Sequence, residues 1–149
     1  MEKYSHGAFA ITGLVIHIPS HTQAMSIITD AWKQWFANKT GNMIVWQTHP
    51  SMHAVYYHYD ETRTSFDMLI WVMTIEDAVQ TNPDFITLTI PAQDYQYMSI
   101  QWGFPESIWK SWNDINQMSA EELPRTYGYD LEMYNEAWTE CTIAVSVKE

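Results

Sequence analysis

The chain has 149 residues, enough for one domain over 1–149 and too few for a second independent one. Seven Lys+Arg against 18 Asp+Glu leave a net charge of −11, a field that repels nucleic-acid phosphates and argues against direct nucleic-acid binding. Its one cysteine, Cys141, excludes an internal disulfide.

In chain order, residues 8–18 read as a β-branched strand that is apolar on both faces and stopped by Pro19. Ser20 and Gln23 have capping-box spacing. The helix that follows carries Ala24, Ile27, Ile28, Ala31, Trp32, Trp35 and Phe36 as one apolar stripe and ends near Asn38. Past a loop containing Pro50, a strand spans 52–60 and a polar turn leads to a second at 66–76. The continuous apolar run from Met68 to Met73 marks that second strand as covered on both sides. Ile86, Leu88 and Ile90 alternate with Thr87 and Thr89, predicting a half-buried strand. A strand at 94–102 follows. Pro105 and Glu106 then open a helix bearing Ile108, Trp109, Trp112 and Ile115. Ser119 to Glu122 form a short extra turn, and strands at 127–134 and 141–148 complete the chain.

The order is strand–helix–strand–strand, a spacer strand, then the same four elements again. Spacing supports a duplication: Trp32-Lys33-Gln34-Trp35 in the first helix answers Trp109-Lys110-Ser111-Trp112 in the second, 77 residues later. The fold expected is α+β, with halves at approximately 8–76 and 85–148 forming one antiparallel sheet. Both helices pack against it in pseudo-two-fold symmetry. Under that offset Tyr57 answers Tyr134 and Val55 answers Glu132. If Val55 is interior, so is the Glu132 carboxylate, among Tyr127, Tyr129, Leu131 and Met133. A buried carboxylate needs a partner or a raised pKa. Arg125 is the nearest base in sequence, and a bound organic cation is another partner. The alternative is a Glu on a solvated face, since a register error of one residue reverses the side.

On these residues the chain resembles the GyrI-like small-molecule-binding domains, the effector-binding domains of multidrug-responsive bacterial transcription activators. The resemblance is carried by Ile11-Thr12-Gly13-Leu14, Trp32 to Phe36, Ala54-Val55-Tyr56-Tyr57, Ile90-Pro91-Ala92-Gln93-Asp94-Tyr95, Gly103, Trp112 and Asp130-Leu131-Glu132-Met133-Tyr134. It implies a central aromatic groove framed by the two halves, with the family's pocket glutamate on Glu132. It begins by Ile11, leaving no room ahead of it for a helix-turn-helix segment.

Eight Trp, nine Tyr and five Phe exceed what a small core needs, and flat rings suit planar or cationic ligands. The expected ligand is a lipophilic, cationic small molecule held by Glu132 and by rings drawn from Tyr57, Trp71, Trp102, Trp109 and Tyr134. Trp32 and Trp35 are assigned to the core. Two further readings stay open: a hydrolase with Glu132 as general base beside Tyr134, and an acidic module docking on a basic protein or on a second copy. No cofactor or metal is expected: His17 and His21 straddle Pro19, and His53 and His58 point to opposite strand faces. Cys141 reads as a packed thiol. The N-terminus, Met1 to His6, lacks a signal-peptide pattern, and no stretch approaches the ~20 apolar residues of a membrane helix, so a cytoplasmic location is expected.

Overall fold

Proline, glycine and left-handed turn residues divide the chain into short β-rich runs and two amphipathic helices. In the computed structural model, which describes residues 2–149, these are β1 (Glu2–His6), β2 (Phe9–Ile18), α1 (His21–Ala37), β3 (Gln47–Tyr57), β4 (Phe66–Thr74), β5 (Ile86–Ile90), β6 (Gln93–Ile100), α2 (Glu106–Gln117), β7 (Asp130–Tyr134) and β8 (Cys141–Val147). Met1, where the expected domain and the expected leaderless N-terminus begin, lies outside the described residues.

Several boundaries differ from expectation for local reasons. The Ser20 hydroxyl does not cap α1; it meets the Thr22 hydroxyl, and the Gln23 N–H donates to the Ser20 carbonyl instead. The reciprocal pairing forms a hundred residues on, where Ser119 and Glu122 each accept from the other's backbone N–H. β3 starts early, at Gln47, absorbing Pro50 where its register with β4 shifts. It stops at Tyr57 because His58 takes a positive φ of 54°. β7 starts late, at Asp130, because Tyr127 has φ 55°.

All the strands join one antiparallel sheet in the order β1-β6-β8-β7-β3-β4-β2-β5. Read from either end, the sequence of roles is the same: β1 stands to β6 as β5 stands to β2, and β7 meets β3 at the centre. The expected spacer strand is therefore no spacer. β5 is the first strand of the second half, as β1 is of the first, and each pairs with the other half's neighbour.

Register at the centre corrects the 77-residue offset. Glu132 lies opposite Ala54, and Leu131 opposite Val55. Opposed residues on antiparallel strands share a face, so Glu132 lies with Ala54 and Tyr56, not with Val55 and Tyr57. On that face α1 contributes Trp35 to a core with Ala54, Tyr56 and Ile70, while α2 adds Ile108 and Ile115 to a core with Ile143 and Val145. The other face bears no helix. It is covered by its own large side chains, among them Tyr57, Trp71, Tyr95 and Tyr129. Gly13 makes the layering possible, since a Cβ there would lie 1.8 Å from the Ile70 carbonyl oxygen on β4.

Candidate functional site

Each helix presents two adjacent i, i+4 rows to one space above the sheet centre. Ala24, Ile28, Trp32 and Phe36 line it from α1; Ile108, Trp112 and Asn116 line it from α2. The cavity between them is about 810 Å³, within the range of small-molecule sites.

On its floor stands Glu132, 3% exposed. One carboxylate oxygen, Oε2, accepts from the Tyr56 hydroxyl at 2.9 Å and from Trp112 Nε1 at 2.5 Å; the other accepts from the Tyr134 hydroxyl at 2.8 Å. Burial pushes the carboxyl above its ordinary range, and the three hydrogen bonds pull against that. An indole can only donate, so Trp112 favours the ionised acid. Burial and the facing Glu132 charge push the Tyr56 and Tyr134 hydroxyls well up, keeping both as neutral donors.

A second buried carboxylate, Asp130, lies two residues back on the same strand face and has what Glu132 lacks. Arg125 Nη2 donates to it at 2.8 Å, the Tyr59 hydroxyl at 2.7 Å, and the backbone N–H and hydroxyl of Ser146 at 2.8 and 3.0 Å. Arg125, expected as a possible partner for Glu132, is thus committed to Asp130. Among the described residues no cation pairs with Glu132.

The walls are aromatic. Trp32 meets Tyr134 edge-on at 5.7 Å between ring centroids and Trp138 at 5.5 Å, while Tyr56 meets Trp112 at 5.5 Å. Of the six expected ligand residues, Glu132, Tyr134 and Trp109 line this cavity. The other three do not. Tyr57 and Trp71 have odd parity to Tyr56 and Ile70 on their strands and so fall on the opposite face, in the helix-free core. Trp102 follows the end of β6 and is 82% exposed, away from the cavity. Trp32, assigned to the core, packs against it and also forms a cavity wall; Trp35 is core. Tyr56, Trp112 and Trp138 went unassigned. The first two had a signal, since Tyr56 is the aromatic of even parity on β3 and Trp112 lies one helical turn from Trp109. Trp138 sits in an irregular loop and had none.

Elsewhere, His53 Nδ1 accepts from the Tyr134 backbone N–H, and burial followed by the nearby His49 lowers this imidazole to about 4. Cys141 is buried and its thiol pushed up by burial and by Glu132. Among the described residues, no three His, Cys, Asp or Glu cluster as a metal site, and no helix is long and apolar enough to cross a membrane.

A duplicated sheet carrying two helices, with an aromatic cavity closed below by an acid, defines an effector-binding domain of the GyrI-like class. The chain belongs to the integron-associated effector-binding proteins, whose family model it matches over residues 6–146. Among solved structures it is similar to an integron cassette protein from the mobile metagenome of Vibrio cholerae (TM-score 0.78, 18% identity, covering 99% of this chain and 95% of that one). It is also similar to a putative transcription regulation protein from Staphylococcus aureus (0.76, 12%, 99% and 97%). A third likeness is to SAV2435, solved with tetraphenylphosphonium bound (0.76, 11%, 99% and 93%). No curated protein sequence matches the chain. The fold is the one expected, and small-molecule binding is the function of the class.

Proposed function

We propose that this protein binds lipophilic organic cations, with Glu132 as the counter-charge and Tyr134, Trp109, Trp32 and Trp112 as the ring surface. The observation that carries the reading is the contrast on β7: Asp130 is buried with a guanidinium, whereas Glu132 is buried with neutral donors alone. An ionised acid held that way is short of one positive charge, and the cavity over it is large enough to bring one in. The bound tetraphenylphosphonium of SAV2435 supports the same ligand class. Most of the affinity comes from apolar area, at ~25 cal/mol per Å². A cation centred roughly 6 Å from the carboxylate gains about 3 kcal/mol at an effective dielectric of about 20.

Titration calorimetry with tetraphenylphosphonium and with neutral triphenylphosphine oxide tests this. Glu132→Gln is expected to weaken the cation about 100-fold, the equivalent of that energy, and the oxide less than about threefold. Equal losses for both ligands would remove the electrostatic basis of the proposal.

A further inference from the structure

Charge is distributed in the cavity against the trend of the chain. The whole molecule has seven Lys+Arg and 18 Asp+Glu, yet the lining holds three of those bases, Lys33, Arg63 and Arg125, and a single acid, Glu132. A site for simple cations has no use for them.

Two of the three bases, Arg63 and Arg125, share one end of the cavity; Lys33 lies near the end of α1, toward the other. α1 and α2 run in opposite directions across it. His21, at the start of α1, reaches the Arg63 carbonyl at 2.7 Å, and Asn116, at the end of α2, accepts from Arg125 at 2.8 Å. The opposite end, where α1 finishes and α2 begins, is aromatic: Phe36 against Trp138 at 5.4 Å and Phe104 against Tyr134 at 6.3 Å. One end is therefore basic and the other a nest of rings, with Glu132 between.

The basic end is built. Arg63 and Arg125 each lie over the ring of Tyr127, at 4.3 and 4.4 Å from its centroid. Asp130 balances the charge of Arg125 at 2.8 Å, whereas Arg63 has no carboxylate within 4 Å among the described residues, so one positive charge at this end is left for an anion to meet. The side chain of Arg125 is only 6% exposed, and its Nε–H is buried with no hydrogen-bond partner among the described residues.

We infer that the effector is amphoteric: a lipophilic cation that also carries a carboxylate or comparable anionic oxygen group, the cation over Glu132 and the anion at Arg63 and Arg125. This deepens the cation-binding reading and rests on it. Arg125 is anchored to Asp130, two strand residues or roughly 7 Å along β7 from Glu132, so one small molecule can span both.

The test is calorimetry with butyltriphenylphosphonium and (4-carboxybutyl)triphenylphosphonium, which share a cationic head and differ by a tethered carboxylate. The acid is expected to bind about fivefold or more tighter at low salt, with that ratio falling as salt rises. In the variant Arg63→Gln, an exposed position, the ratio is expected to drop at least threefold, while Lys33→Gln, near the other end of the cavity, leaves it within about 1.5-fold; Arg125 stays in place because its buried pairing with Asp130 is part of the fold. If the butyl compound binds as well as the acid or better, the amphoteric inference is overturned and the cation site stands. A ratio that persists unchanged in Arg63→Gln overturns the assignment to this end. If neither compound binds, the cation reading fails and takes this one with it.

Discussion

The Trp112 bond to Glu132 offers a perturbation whose effect can be worked out from geometry. Trp112→Phe keeps an aromatic ring on α2 and deletes the indole N–H that donates to Glu132 Oε2 at 2.5 Å. A hydrogen bond to a charged group contributes about 1.5–3 kcal/mol, and 1.36 kcal/mol corresponds to one pH unit. The indole stabilises only the ionised acid, so its loss raises the carboxyl further, by about one to two pH units. If cations bind only to ionised Glu132, log affinity plotted against pH is flat at high pH and falls below a break at the carboxyl pKa. Burial already places that break above the ordinary carboxylate range. Trp112→Phe is expected to move it upward by that amount, while lost ring contact lowers only the plateau. Trp109→Phe is the control, because Trp109 lines the cavity without bonding Glu132; its plateau falls and its break stays. Calorimetry with tetraphenylphosphonium between about pH 4.5 and 9 reads both quantities. A break at the same pH in wild type and Trp112→Phe would refute the account of how Glu132 is held ionised.

Glu132→Gln should fold as stably as wild type at pH 7, or more stably, by thermal unfolding, because the amide oxygen can accept from Trp112 and Tyr56 while its NH₂ donates to a rotated Tyr134 hydroxyl; a large loss of melting temperature would show that the charge itself is structural. Two groups give stability opposite dependences on pH. The raised carboxyl of Glu132 favours the folded state at low pH and loses that contribution as pH rises through its folded value. His53, lowered from 6.5 to about 4, costs nothing above 6.5 and takes away stability as pH falls toward 4, by about 3 kcal/mol. Urea titrations between pH 7 and 4 should therefore show a His53→Asn variant, whose amide oxygen can still accept from the Tyr134 N–H, losing less stability than wild type. Gly13→Ala should destabilise by about 3 kcal/mol or more, because its Cβ meets backbone rather than a movable side chain; a variant of normal stability would mean β2 and β4 are less closely apposed than they are here.

The sequence by itself determined the type and order of every element from β2 onward and the duplication; β1, Glu2–His6, is short, polar and exposed, carries no apolar alternation, and was missed. Alternation of apolar residues, helical stripes such as Ala24 to Phe36, and stops at Pro19 and Pro91 are local signals that tertiary contacts did not override. The spacing left Glu132 open between an interior and a solvated face, the resemblance pointed inward, and the side chain is buried. The 77-residue offset fails in the helices, where Trp35 is core and its counterpart Trp112 lines the cavity, and it is one residue out at β3 and β7, yet Ala54 and Val55 are both fully buried, so either register puts an acid inside. Tyr57 and Trp71 had no such protection, since one residue of error in a strand reverses the face, and both went to the side without helices. Only the tertiary structure decided which rings meet. A cavity is the gap left between helices whose placement depends on the packing of the whole sheet, and no spacing along the chain encodes its width. Nor could the sequence pair the charges: Arg125 is nearly as close in the chain to Glu132 as to Asp130, and only the fold brings its guanidinium to one carboxylate and leaves the other to neutral donors.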